Sequence, residues 1–217
     1  LQGLHAAVVR KLDGDPLKEY RIQIELPWMD GKNKLLWARL STVYATNASG
    51  NFFLPEPDDE VVVGFMNEDP GHPIILGGVY GERHKPPYEY EAKNNTKAIV
   101  TREKMRIEFN EEKKMVKIST PGKNTVEISD DDKHIKLTDQ NKNEIVMNSS
   151  GISFSSAKDI TLKAKGAITM DATSKFSATA KQDVSLEGLN VNMQAKVSAA
   201  VKGNAKAELL ASGQTTV

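Results

Sequence analysis

The 217 residues carry 29 basic and 29 acidic side chains, and this zero formal charge exerts no electrostatic pull toward nucleic acid or an anionic membrane. The absence of cysteine excludes a disulfide framework, a thiolate metal site and a cysteine nucleophile. No long apolar run of membrane-spanning length occurs, and the opening LQGLHAAVVRKLDGD reads as neither signal nor transit peptide. It does not begin with Met, so the chain is expected to start inside a longer protein.

Composition divides the chain near Tyr90. Eight of the 9 prolines lie before it, as do most of the aromatic residues, whereas the remainder is rich in Lys, Ala, Ser, Thr and Asn. The first part is expected to build a compact core around Trp28, Trp37, Tyr44, Phe53 and Phe65. The second part lacks the bulky residues for such a core.

Five strands are predicted in the first part: Leu4–Arg10, Tyr20–Leu26, Leu36–Thr42, Glu60–Phe65 and Pro73–Val79. Turn signals separate them at Asp13–Pro16, Asp30–Asn33, Asn47–Asn51 and Asn67–Gly71. Tyr20, Ile22, Ile24 and Leu26 alternate onto one face, and the run Val61-Val62-Val63 fits a strand covered on both faces. Five strands so spaced predict an OB-type barrel.

The segment FFLPEPDDEVVVGFMNEDPGHPIILGGVYGERHKPPY, Phe52 to Tyr88, resembles the core OB-fold segment of the VgrG and phage tail-spike family. The preceding GDPLKEYRIQIELPWMDGKNKLLWARLSTVYA fits the same family. The resemblance implies a homotrimeric spike of a contractile injection machine: a type VI secretion system, an extracellular contractile particle or a phage tail. It implies an all-β chain, an OB barrel followed by an intertwined homotrimeric β-helix, with an upstream hub joining the spike to the tube. It also implies a PAAR-type tip protein or an effector at the C-terminal end, and transient contact with a target membrane. Assembly is expected in the bacterial cytoplasm on a baseplate, followed by delivery outside the cell or into a target cell.

The barrel is assigned to 1–88 and a neck to 89–110. Over 111–158 two-residue apolar pairs recur at Val116/Ile118, Val126/Ile128, Ile135/Leu137, Ile145/Met147 and Ile152/Phe154, with Ile107/Phe109 before them. Turn-like clusters separate the pairs, and these longer repeats are expected to lead into a β-helix. From 159 to 217 the step tightens to eight residues: Ile160, Leu162; Ile168, Met170; Phe176; Val184, Leu186. Apolar positions are even-numbered to Leu186 and odd-numbered from Val191, through Met193, Val197, Val201 and Leu209. A change of face needs one residue inserted or deleted, so an irregular corner is expected at Gly188-Leu189-Asn190. These twelve residues form the expected core of the trimer, because a short strand with one dry face must stack against copies of itself. The octads would span about 35 Å at roughly 4.8 Å per layer. For AKVSAAVKGNAKAELLAS the alternative is an Ala-rich helix, against which the strict alternation stands. The final SGQTTV continues the alternation, so the shaft is expected to continue or to be covered.

Candidate chemistry is sparse, and no catalytic residue, cofactor or metal site is assigned. Asp130-Asp131-Asp132 lacks the alternating spacing and terminal Glu of a calcium loop and reads as a solvated turn. Asp58, Asp59 and Glu60 read as the approach to a strand rather than a carboxylate dyad. His5, His72, His84 and His134 show no metal spacing, no serine lies in a GxSxG elbow, and Gly77-Gly78 does not open a helix. With 9 basic against 13 acidic residues over 1–90, the barrel lacks the basic groove of a single-strand binder. The leading expectation is a structural spike, not an enzyme. The alternative is a glycan- or envelope-binding barrel with the β-helix as spacer.

Overall fold

The computed structural model describes residues 2–208, 210 and 213. It divides into two compact units, residues 1–160 and 161–217. The first unit opens with seven strands: β1 (His5–Lys11), β2 (Ile22–Glu25), β3 (Leu35–Leu40), the two-residue β4 (Ala45–Thr46) and β5 (Ser49–Gly50), β6 (Glu60–Phe65) and β7 (Pro73–Gly78). Five of them close a barrel in the order β1-β2-β3-β7-β6. β3 and β7 run parallel, and the other pairs are antiparallel. The all-β, OB-like architecture expected from the sequence is present, with strand ends displaced by at most two residues and Glu60–Phe65 unchanged.

The barrel core is aliphatic. Ala7, Val9, Ile22, Ile24, Leu26, Ala38, Val61, Val63 and Ile75 are its buried members. The expected aromatic core is corrected here: Trp28 is 50% exposed, Tyr44 56% and Phe53 62%, while Phe65 packs only at the core's margin. A closed five-stranded barrel has an interior just wide enough for Val and Ile, so the larger rings are left outside it. Val61 and Val63 point in, whereas Val62 is half-buried, so this strand alternates instead of being covered on both faces.

Tyr20 is a second correction. It stands outside the β2 row in left-handed backbone at φ 58°, fully exposed. Asp15 explains this geometry. Its carboxylate accepts hydrogen bonds from the backbone N–H groups of Leu17, Glu19 and Arg21, and from the Arg21 guanidinium at 2.6 Å. The connection is thereby wrapped around one carboxylate.

After the barrel the chain forms seven more strands: β8 (Thr96–Val100), β9 (Arg106–Asn110), β10 (Met115–Ser119), β11 (Thr125–Ser129), β12 (His134–Thr138), β13 (Glu144–Asn148) and β14 (Gly151–Ser155). They pair in sequence order as one antiparallel meander. The repeats expected to lead into a solenoid therefore pair within the chain, and β8 and β9 occupy stretches expected to be neck. Five of the six hairpin connections carry a lysine in left-handed backbone, Lys104, Lys114, Lys123, Lys133 and Lys142, while Gly151 takes positive φ after the β13–β14 turn. Arg102 joins the meander to the barrel through Glu56 at 2.8 Å. Tyr88 donates to Glu108 at 2.6 Å, with Arg106 over its ring.

The second unit is different in kind. Among the described residues of 161–208 there is no helix and no strand, and every one is exposed. Bends recur instead, at Lys165-Gly166, Thr173-Ser174, Lys181-Gln182, Leu189, Lys196-Val197 and Asn204-Ala205. The corners thus follow an eight-residue step, with one step of seven ending at Leu189.

Candidate functional site

The meander's cross-strand register places all the apolar pairs on one face. Ile107 lies opposite Ile118 and Phe109 opposite Val116. Val116 faces Ile128 and Ile118 faces Val126, Ile128 faces Ile135, and Ile135 faces Met147, which faces Ile152. Such direct apolar pairs are the unit of sheet stabilisation. Yet nothing in this chain covers the face, among the described residues. In β9, β11 and β12 the apolar positions are the exposed ones and the polar positions are half-buried or, at Ser129, buried, the reverse of a free-standing soluble sheet. Ile118, Val126, Leu137, Ile145, Phe154 and Ile160 also line a groove of about 550 Å³ on this side.

The opposite face is an ion ladder. Lys117 meets Glu127 at 3.0 Å and Glu127 meets His134 at 3.0 Å, while Lys136 meets Glu144 at 2.7 Å. Burial pushes the Glu127 carboxyl up, but hydrogen bonds from Lys117 and His134 outweigh it and hold the group below its ordinary range. Asp132, in the β11–β12 connection, joins Glu127 and His134 so that one ligand atom from each lies within 4.8 Å of the others. This trio is a candidate cation site. The sequence conceals it because Glu127 and His134 meet only through the pairing of β11 with β12. The i, i+2 spacing of Asp132 and His134 is the only part of the signal in the chain itself.

The twelve residues expected to form a trimer core are all in or beside the second unit. Eleven are described, from Ile160 to Val201, and each is exposed, with Val191 least so at 52%; Leu209 lies outside the described residues. Ile160, Leu162, Ile168, Met170, Phe176, Val184, Leu186, Val191, Met193 and Val201 fall on the runs between bends. Val197 does not: it sits in a bend, 98% exposed, at the step occupied by Gly166, Ser174 and Gln182 in earlier repeats. A corner side chain cannot join the row between corners, so Val197 stands apart from the other ten described residues. The helix alternative finds no helical residue among those described there.

His72 pairs with Asp69 at 2.9 Å in an exposed turn, and His84 approaches Asp59 at 3.8 Å. His5 stacks near Trp28, with ring centroids 5.0 Å apart. No helix among the described residues is long and apolar enough to cross a membrane.

Two family models match successive stretches of the chain, the second running across the boundary between the two units. The model of the type VI secretion system/phage-baseplate injector OB domain matches residues 5–80. That of the phage baseplate V C-terminal trimerisation domain matches residues 115–195. The type VI secretion system spike protein VgrG1a of Pseudomonas aeruginosa is 30% identical over 86 residues, 38% of this chain and 13% of that protein. VgrG4b of the same organism is 30% identical over 105 residues, 45% of this chain and 13% of that protein. The actin cross-linking toxin VgrG1 of Vibrio cholerae is 33% identical over 87 residues, 38% of this chain and 8% of that protein. The matched stretch is a small part of each of these relatives. An injector OB barrel followed by a baseplate trimerisation domain, with spike proteins as relatives, places this chain in the VgrG and phage tail-spike family.

Proposed function

We propose that this chain is part of a homotrimeric spike of a contractile injection machine, which pierces a target envelope and carries a tip protein or effector. The observation that supports this reading most is the second unit. Its apolar residues recur every eight positions between regular bends, and its described backbone has no strand partner in its own chain. Unpaired N–H and C=O groups beside exposed Ile, Leu, Met and Phe are costly unless another chain supplies the ladder and the cover. Three copies wound about one axis supply both. The resulting shaft leaves few strand edges free, a construction that resists bending.

In this reading 1–88 is the collar barrel, 89–110 the neck, 111–158 the part leading into the shaft, and 159–217 the shaft. Ile160, Leu162, Ile168, Met170, Phe176, Val184, Leu186, Val191, Met193 and Val201 meet their counterparts on the axis. The apolar meander face packs against the same face of its two neighbours. An upstream hub holds the spike on the baseplate in the bacterial cytoplasm, and the C-terminal end carries a PAAR-type tip or an effector. The spike itself acts mechanically, without catalysis, and touches the target membrane only in passing.

The test is light scattering and thermal melting of the chain beside Leu162→Asp. The parent is expected at three times the chain mass. The variant, which would gather three carboxylates on a dry axis, is expected to lose the trimer. A monomeric parent, or a variant as trimeric and heat-resistant as the parent, defeats the proposal.

A further inference from the structure

The assembly reading leaves Glu127, Asp132 and His134 unused. We propose that these three side chains bind a divalent first-row transition-metal cation, such as Zn²⁺, which ties the β11–β12 connection to the polar face of the meander. The donors lie within 4.8 Å of one another. The separation of His134 Nε2 from Glu127 Oε1 is 3.0 Å. Two ligands on one cation at roughly 2.1 Å stand about 3.0 Å apart in an octahedron and about 3.4 Å in a tetrahedron, so this pair is already spaced as neighbouring ligands.

The third donor is held by its own turn. The Ser129 hydroxyl donates to Asp132 Oδ2 at 3.2 Å and accepts from the Asp132 N–H at 3.1 Å. Ser129, at 3% exposure, is the one buried polar residue among those described. Lys133, at φ 51°, then turns the chain back into β12 and brings His134 beside the carboxylate. Lys117 contacts Oε2 of Glu127, so a cation at Oε1 would replace only the contact with His134. One imidazole and two carboxylates, without a thiolate, suit Zn²⁺ and its first-row neighbours better than Ca²⁺, which takes six to eight oxygens. Three protein donors leave a position for water.

The experiment is calorimetric titration of the whole chain, stripped with chelator, with ZnCl₂ at neutral pH. One Zn²⁺ per chain is expected, with a higher melting temperature in its presence. Asp132→Asn and His134→Gln should each weaken binding about tenfold or more. His72→Ala, which removes the exposed pair with Asp69 elsewhere on the chain, should bind as the parent does. Asp132 is exposed, so its variant should melt like the metal-free parent and decides the matter if His134→Gln fails to fold. Absence of saturable Zn²⁺ binding, equal binding in Asp132→Asn, or loss of binding in His72→Ala overturns the proposal. Neither result bears on the trimer, whose readout is mass.

Discussion

Asp15 organises the β1–β2 connection through charge rather than apolar contact. Hydrogen bonds from Arg21 and from three backbone N–H groups outweigh its desolvation and hold its carboxyl well below the usual carboxylate range. A group with a depressed folded pKa contributes its stability fully above the unfolded value, near 4, and loses it as pH falls toward the folded one. Asp15→Asn should therefore melt below the parent at neutral pH, and the gap should narrow as the pH is lowered through 4. A gap that stays constant in melts taken across that range would show that the charge is not the source. The same carboxylate explains why Tyr20 departs from the alternation of Ile22, Ile24 and Leu26. The period-two pattern was legible in the sequence, but the loop bonds that flip one residue out of it were not. Ile24, fully buried, lies where the pattern holds; Ile24→Ala should cost about 2–5 kcal/mol in denaturant unfolding.

At the scale of elements, the barrel strands could be read because each lies between turn signals and buries one face within its own chain. The aromatic core was misread for a volume reason: a small closed barrel is filled by Val and Ile, and ring size alone does not show whether a residue lies inside. The meander shows the opposite case. Its apolar pairs were legible, but their partners were not, because antiparallel pairing depends on which strands lie side by side. The metal trio was invisible for the same reason. The uncovered face gives a sharp contrast on adjacent residues of β12. Ile135 pairs with Ile128 and Met147 on the apolar face, whereas Lys136 lies opposite Glu127 and Val146 on the other and makes its ion pair with the half-buried Glu144. Ile135→Asp should abolish the trimer in light scattering, since it puts a charge into each of three apposed faces. Lys136→Ala should keep the trimer and cost about 1 kcal/mol, as an ion pair still partly open to solvent does. Equal effects of the two would mean that the apolar face is not where the copies meet.

At the scale of the whole molecule, the octad register can be followed in both sequence and structure, and the two agree on a slip. The apolar positions change from even to odd between Leu186 and Val191, and the bends shorten to a seven-residue step at Leu189. One residue fewer moves every later side chain to the other face unless the chain takes the corner differently. In the proposed shaft the shortened corner would keep Val191 and Val201 on the same face as Ile160 and Ile168. This yields a paired prediction on either side of the slip. Ile168→Asp and Val191→Asp should each dissociate the trimer, because both place a carboxylate on the apolar row. Thr169→Asp and Asn192→Asp, one position later, should leave mass and melting temperature close to the parent's. If the register ran on unbroken, Asn192→Asp would dissociate the trimer and Val191→Asp would be harmless. Light scattering on these four variants therefore tells an adjusted corner from an unadjusted one, independently of whether the upstream octads pack as proposed.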